Sequence, residues 1–145
     1  MKTPKVILWD FDGVILDSMP TREKGFIEVL KSFPSHQVKE LIKFHNLNGG
    51  LSRYVKFRYF FEKILDRTLS ETELMIWADS FSAIMKKLLI DPSLLINDSL
   101  NFIKKNYNNY KMHIVSGSDE QELNYICKKL DIYNYFISIN GSPTP

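Results

Sequence analysis

Apolar positions follow two different rhythms along this chain. Val6, Ile7, Leu8 and Trp9 form an unbroken apolar run that ends at Asp10. A short run without polar alternation predicts a strand buried on both faces, as in a parallel sheet. After Pro20 the apolar residues recur at three- and four-residue intervals. Phe26, Val29 and Phe33 predict a helix that Pro34 stops. Val38, Leu41 and Ile42 predict a second, short helix ending near Asn46 to Gly50. A third is predicted from about Ser52 to Leu65, dense in aromatics. Ser70 and Glu73 have capping-box spacing ahead of a fourth, striped by Leu74, Trp77, Phe81, Ile84 and Leu88. Residues 19–90 thus read as all-helical, and Asp91-Pro92 ends the block.

Strand and helix then alternate. Asn97 is the predicted N-cap of a helix carrying Leu100, Ile103 and Tyr107. Lys111 to Val115 predicts a strand ending at Ser116-Gly117-Ser118. Ser118 and Gln121 repeat the capping-box pattern before a helix with Leu123, Ile126, Cys127 and Leu130 on one face. Tyr135 to Ile139 predicts a third strand, and Asn140 to Pro143 a turn. Strands separated by helices imply an α/β fold with a parallel sheet.

Composition narrows the function classes. The 145 residues are 44% hydrophobic, enough for a core. A net charge of +2, from 19 basic and 17 acidic residues, gives no field that favours nucleic acid or an anionic membrane. The single cysteine, Cys127, excludes an intrachain disulfide and fits a reducing compartment. The apolar run before Asp10 is too short for a signal peptide, and no segment nears the ~20 apolar residues that span a bilayer. The expectation is a cytoplasmic protein.

Candidate chemistry lies where the first strand ends. Residues i and i+2 of an extended chain point the same way, so Asp10 and Asp12 are expected to face one small volume. Ligands of open α/β sheets bind at such carboxyl ends. Two close carboxylates repel unless a cation or shared proton relieves them, and Mg²⁺ takes oxygen ligands. Gly13 lets the backbone bend toward a ligand.

The segment Asp10-x-Asp12-Gly13-x-x-x-Asp17-Ser18 resembles the first motif of the haloacid dehalogenase-like (HAD) hydrolases, in their phosphatase and β-phosphoglucomutase-like branch. The resemblance implies a Rossmann-like core over 1–18 and 91–145, with an incomplete sheet of about three strands, and an inserted helical cap over 19–90. It makes Asp10 the nucleophile, Asp12 the general acid/base, and Mg²⁺ the cofactor, bound by Asp10 and by the Asp12 carbonyl. Ser116 and Gly117 match the second motif and would hold the transferring phosphate. The second Asp argues against dehalogenation, because relatives that displace halide typically lack it. Asp17 reads as structural, capping the first helix or shaping the loop. Two readings stay open for Arg53 and Lys56: they read an anionic or hydroxylated substrate, or they join Arg58 on a solvated face. His113 and Cys127 read as core residues.

The chain departs from the family pattern at GSPTP, where the family's Lys and later acidic motif would follow. It therefore looks like the N-terminal portion of such an enzyme, and weak or no activity is expected of it alone. The missing fourth strand would leave the first with an exposed edge, a template for self-association. The expected partner is a small phosphorylated metabolite, with neither nucleic acid nor membrane. Phosphatase, phosphomutase and non-catalytic partner subunit all remain open, although Arg22, where mutases often carry His, leans toward hydrolysis.

Overall fold

The computed structural model describes residues 5–143; residues 1–4 and 144–145 of the expected core lie outside them. Three strands, β1 (Val6–Trp9), β2 (Lys111–Asp119) and β3 (Ser138–Ser142), form a parallel sheet in the order β1-β2-β3. Val6 pairs with Lys111, and His113 with Ser138. The central strand β2 thus holds β1 and β3 in place, and the carboxyl ends of β1 and β2 lie together.

β1 is not buried on both faces. Val6 and Leu8 are 49% and 67% exposed, whereas Ile7 and Trp9 pack against the core. The Trp9 ring lies 5.8 Å from that of Phe102. The cause is position: among the described residues β1 is an edge strand bonded only to β2, and no described element covers its outer face.

Four helices lie between β1 and the next core elements: α1 (Met19–Val29), α2 (Ser35–Leu47), α3 (Arg53–Arg58) and α4 (Glu71–Leu88). No strand element interrupts them among the described residues. α1 stops at Val29, before Phe33, and Pro34 serves as the N-cap of α2 rather than as the stop of α1. α3 is capped by Ser52 and continues into a π-helical turn, Tyr59–Ile64. α4 opens with the expected capping box, both bonds present between Ser70 and Glu73. Fully buried Phe26, Phe57, Phe60, Phe61 and Phe81 fill this block, with the Phe26 and Phe81 rings stacked at 4.3 Å. Burying each such ring stabilises by roughly 1.5–3 kcal/mol relative to exposure.

α5 (Asn97–Asn106) and α6 (Glu120–Lys129) flank β2 in sequence. Asn97 is not a cap: Ile96 holds that position, and its N–H bonds to the Ile15 carbonyl at 2.9 Å. Ser118 and Gln121 do not cap α6 either. Asp119 does, accepting from the Glu122 N–H at 2.9 Å, while the Ser118 hydroxyl turns to Asp12. β3 begins three residues later than expected, because Tyr133–Tyr135 forms a 3-10 turn. Asn140 to Ser142 therefore extend the strand instead of turning. His113 is half-buried and bonded to the Ser138 hydroxyl at 2.7 Å. Cys127 is fully buried, and burial pushes its thiol up to about 12, which keeps it inert.

Candidate active site

The loop after β1 is braced from behind. The Asp17 N–H bonds to the Leu94 carbonyl at 2.8 Å, and the Ser99 hydroxyl to the Val14 carbonyl at 2.6 Å. Gly13, at φ +75°, supplies the left-handed residue that this tight path needs. Asp17 is exposed and caps no helix; it shapes the loop through its backbone. Asp10, Asp12, Ser116 and Gly117 then line one cleft of about 330 Å³, closed on the far side by Met19, Gly49 and Gly50. All four expected chemical residues are thus brought together.

The two aspartates are held very differently. Asp10 is exposed, and one carboxylate oxygen accepts from the Phe11 N–H at 2.7 Å. Asp12 accepts from three side chains: the Ser18 hydroxyl at 2.5 Å, Arg22 Nε at 2.7 Å and the Ser118 hydroxyl at 2.6 Å. Burial raises its pKa, but the Arg22 charge and these three bonds outweigh burial and hold it below the usual carboxylate range. Asp12 is therefore ionised at neutral pH. The Ser116 hydroxyl accepts from the Ser118 N–H at 3.1 Å.

Arg53 and Lys56 do not lie on a solvated face. They are 5% and 4% exposed and point inward with the core residue Phe57, whereas Arg58 lies outside with Glu62 and Glu71. Arg53 pairs with the fully buried Glu122, donates to the Ser82 hydroxyl at 2.5 Å and stacks over Phe81 at 4.7 Å. Burial and the neighbouring Arg22 press its pKa down to about 10, so it stays charged. Arg22 bridges the groups, reaching Asp12 with Nε and Glu122 with Nη1 at 3.4 Å. Lys56 Nζ lies 2.9 Å from His45 Nδ1, and burial followed by Arg22 presses its pKa to about 8. Tyr54 donates to Asp119 at 3.1 Å, a further tie between α3 and the end of β2.

Sequence reasoning assigned no chemistry to Glu122, Ser118, Ser18 or His45. One signal was present. Glu122 stands four residues before Ile126, Arg22 four before Phe26, Arg53 four before Phe57, and His45 four after Leu41. Each apolar partner is buried, so each polar residue occupies the inward stripe of its helix.

His45 gives a pH signature. Burial, then the charges of Lys56 and Arg22, press its pKa from 6.5 to about 4, with Asp12 opposing. The folded value is below the unfolded one, so between pH 6.5 and 4 the unfolded chain binds the extra proton. Stability is expected to fall as pH drops through that window, by about 2 kcal/mol between pH 7 and 4.5. Asp12 adds its own loss only below its ordinary value of 3.8. Urea unfolding at stepped pH measures the slope, and His45→Asn, which keeps an acceptor for Lys56, should flatten it.

Comparison with known proteins bears on the same frame. No curated protein sequence matches the chain. β-Phosphoglucomutase from Clostridium difficile is similar in structure, with a TM-score of 0.72 at 17% identity over 94% of this chain. A protein described as a predicted phosphoglycolate phosphatase from Haemophilus somnus gives 0.69 at 15% over 100%. The HAD hydrolase YfnB from Bacillus subtilis, described as bound to magnesium, gives 0.68 at 13% over 97%. The chain spans 61%, 65% and 66% of the lengths of these three proteins, respectively. At such identities the likeness is one of fold, a parallel α/β Rossmann-like core. No described helix is long and apolar enough to cross a membrane. A sequence profile matches residues 7–144, nearly the whole chain, and on that match the protein belongs to the haloacid dehalogenase-like hydrolase family.

Proposed function

We propose that this chain carries the nucleophilic half of a Mg²⁺-dependent phosphatase acting on a small phosphorylated metabolite. The observation that carries the reading is the shared cleft. Asp10 is open to it, and Asp12, Ser116 and Gly117 line the same walls. In the first step an Asp10 oxygen attacks phosphorus as the ester P–O bond breaks, leaving an aspartyl phosphate and an alcohol. Water then attacks that phosphorus, releasing phosphate and restoring Asp10. Ionised Asp12 suits acceptance of the water's proton. For it to protonate the leaving alkoxide, the Arg22 contact must first be released and Asp12 must take a proton from solvent. The hydroxyl of Ser116 and the backbone at Gly117 would hold the transferring phosphate.

The residues present fit a hard, partly hydrated cation. Asp10 offers an exposed carboxylate in the cleft that Asp12 also lines, and Mg²⁺ commonly keeps several waters with one or two protein carboxylates. No group of three or more His, Cys, Asp or Glu suited to a metal occurs among the described residues. When bound, the ion would offset the negative charge of phosphate and nucleophile. Residues 19–90 act in this reading as the cap over the cleft, with Arg53 and Lys56 facing the substrate side.

Phosphate release from p-nitrophenyl phosphate by the full chain tests the reading, with and without Mg²⁺. Slow, Mg²⁺-dependent turnover is expected, falling at least about 100-fold in Asp10→Asn. Turnover that survives Asp10→Asn would discard the nucleophile. With a sugar monophosphate in place of p-nitrophenyl phosphate, a bisphosphate accumulating during turnover would favour a phosphomutase. The open edge of β1, the end strand of the described sheet, supports self-association by edge pairing as a second role. Sedimentation showing only monomer at high concentration would argue against it.

A further inference from the structure

A groove of about 580 Å³ runs between α1 and α2 in the helical block. None of its lining residues lines the cleft at Asp10. Ile27, Phe33, Val38 and Ile42 make it apolar, and Lys39 and Lys43 stand one turn apart on the α2 wall. We propose that this groove binds a medium-chain carboxylate, with the acyl tail along the apolar lining and the carboxylate between Lys39 and Lys43. The phosphatase reading neither requires nor supplies such a ligand.

Shape selects a slim ligand. Small-molecule sites are concave and mostly apolar, commonly of roughly 300–1,000 Å³, with a few polar groups that fix orientation. The apolar surface here lies in a recess rather than on a flat face. Val38 is 6% exposed, Phe33 and Ile42 are half-buried, and only Ile27 is open. A polymethylene chain can lie along such a recess. A partner helix, about 10–12 Å across, could only send single side chains into it. Along α2 the groove extends from Ser35 to Lys43, about 12 Å at the helical rise, which matches a medium-chain acyl tail.

Charge gives the ligand its sign. Among the described residues, Lys39 and Lys43 take part in no ion pair. Lys31, at the loop end of the groove, is bonded to Glu28 at 2.7 Å, and Glu23 lies on the α1 wall. Lys24 and Glu40 are exposed on the same two helices. Counting all of these, four lysines meet three glutamates, so the positive excess survives. Buried Arg22 is spent on Asp12 and Glu122. The excess sits on the α2 wall, where side chains at i and i+4 are neighbours and can share one carboxylate. A singly charged amphiphile satisfies that wall, whereas a polyacidic peptide would also set charge against Glu23.

Calorimetric titration of the full chain tests the assignment. The probes are decanoate, octanoate, 1-octanol and octyltrimethylammonium, each below the concentration at which it self-associates. One decanoate per chain is expected to bind. Each buried methylene is worth about fourfold in affinity, so octanoate should bind roughly 10-fold more weakly. Octanol and the ammonium should bind at least fivefold more weakly than octanoate. Lys39→Gln combined with Lys43→Gln should bring octanoate to within threefold of octanol. Ile27→Glu should abolish decanoate binding, and Ile76→Glu, on α4 outside the groove, should leave it unchanged. All four positions are exposed, so these variants keep the fold. Absence of saturable decanoate binding overturns the proposal, as does octanol binding as tightly as octanoate. Equal loss in Ile27→Glu and Ile76→Glu would mean surface adsorption and would also overturn it. An amphipathic Leu/Glu helical peptide that displaces decanoate more effectively than octanoate does would make the groove a protein-docking face and discard the acyl assignment.

Discussion

Glu122→Ala is expected to destabilise the fold by about 3–5 kcal/mol, because it leaves buried charge uncompensated. That corresponds to a melting midpoint lower by roughly 10 °C or more for a domain of this size. Glu122 is fully buried and is paired with both Arg22 and Arg53. Arg53 would keep Ser82 and Phe81 as neighbours, neither of which carries an opposing charge. Glu122→Gln keeps the shape and one acceptor, so its loss should be smaller. Combining Glu122→Leu with Arg53→Met should recover part of the stability, since an apolar pair can replace a buried ion pair. Thermal and urea unfolding of the three variants decide the matter. A Glu122→Ala midpoint within 2 °C of the parent would show that water already compensates these charges.

Gly117→Ala is expected to cost about 1–3 kcal/mol and to lift the loop at residues 48–52 from the end of β2. A Cβ at position 117 would overlap the Gly50 carbonyl oxygen and lie 3.0 Å from its carbon. Both are backbone atoms, so neither can swing aside as a side chain would. Gly50→Ala is the matched control, because a Cβ there meets nothing within 4 Å. Its stability should stay within about 0.5 kcal/mol of the parent. Protease cleavage within 48–52 should rise in Gly117→Ala alone. Equal cleavage in both variants would mean that the loop does not rest on β2.

The readable parts of this protein were those set by local spacing. The alternation of elements, the Ser70–Glu73 box and the Asp10–Asp12 pair follow from short stretches, whereas Ser116 and Gly117 joined that pair only through the family resemblance. Arg53 and Lys56 were left between two readings because a helical wheel alone does not choose which stripe faces inward. Their alignment with Phe57 and Phe60 decides it once those rings are seen in the core. Glu122 was harder. Its partners lie 69 and 100 residues away, and no local pattern names a partner at that distance. β3 was misplaced because Tyr135 to Ile139 looks like a strand, yet Phe136 and Ile139 are the buried pair, a spacing of three rather than two. The exposure of Val6 and Leu8 was unreadable from their own apolar run, since it depends on which neighbours the strand has.

The pairing of Val6 with Lys111 has a kinetic consequence. Closing the intervening loop, 111 − 6 = 105 residues, costs roughly 4 kcal/mol of chain entropy before any strand contact rewards it. The aromatic helices close over much shorter loops and carry their own buried rings, so they are expected to form first. The cleft exists only where β1 meets β2, which makes it the last feature to assemble and the first to be lost. Mild denaturant should therefore expose Trp9 and abolish phosphate binding while most of the helical circular dichroism persists.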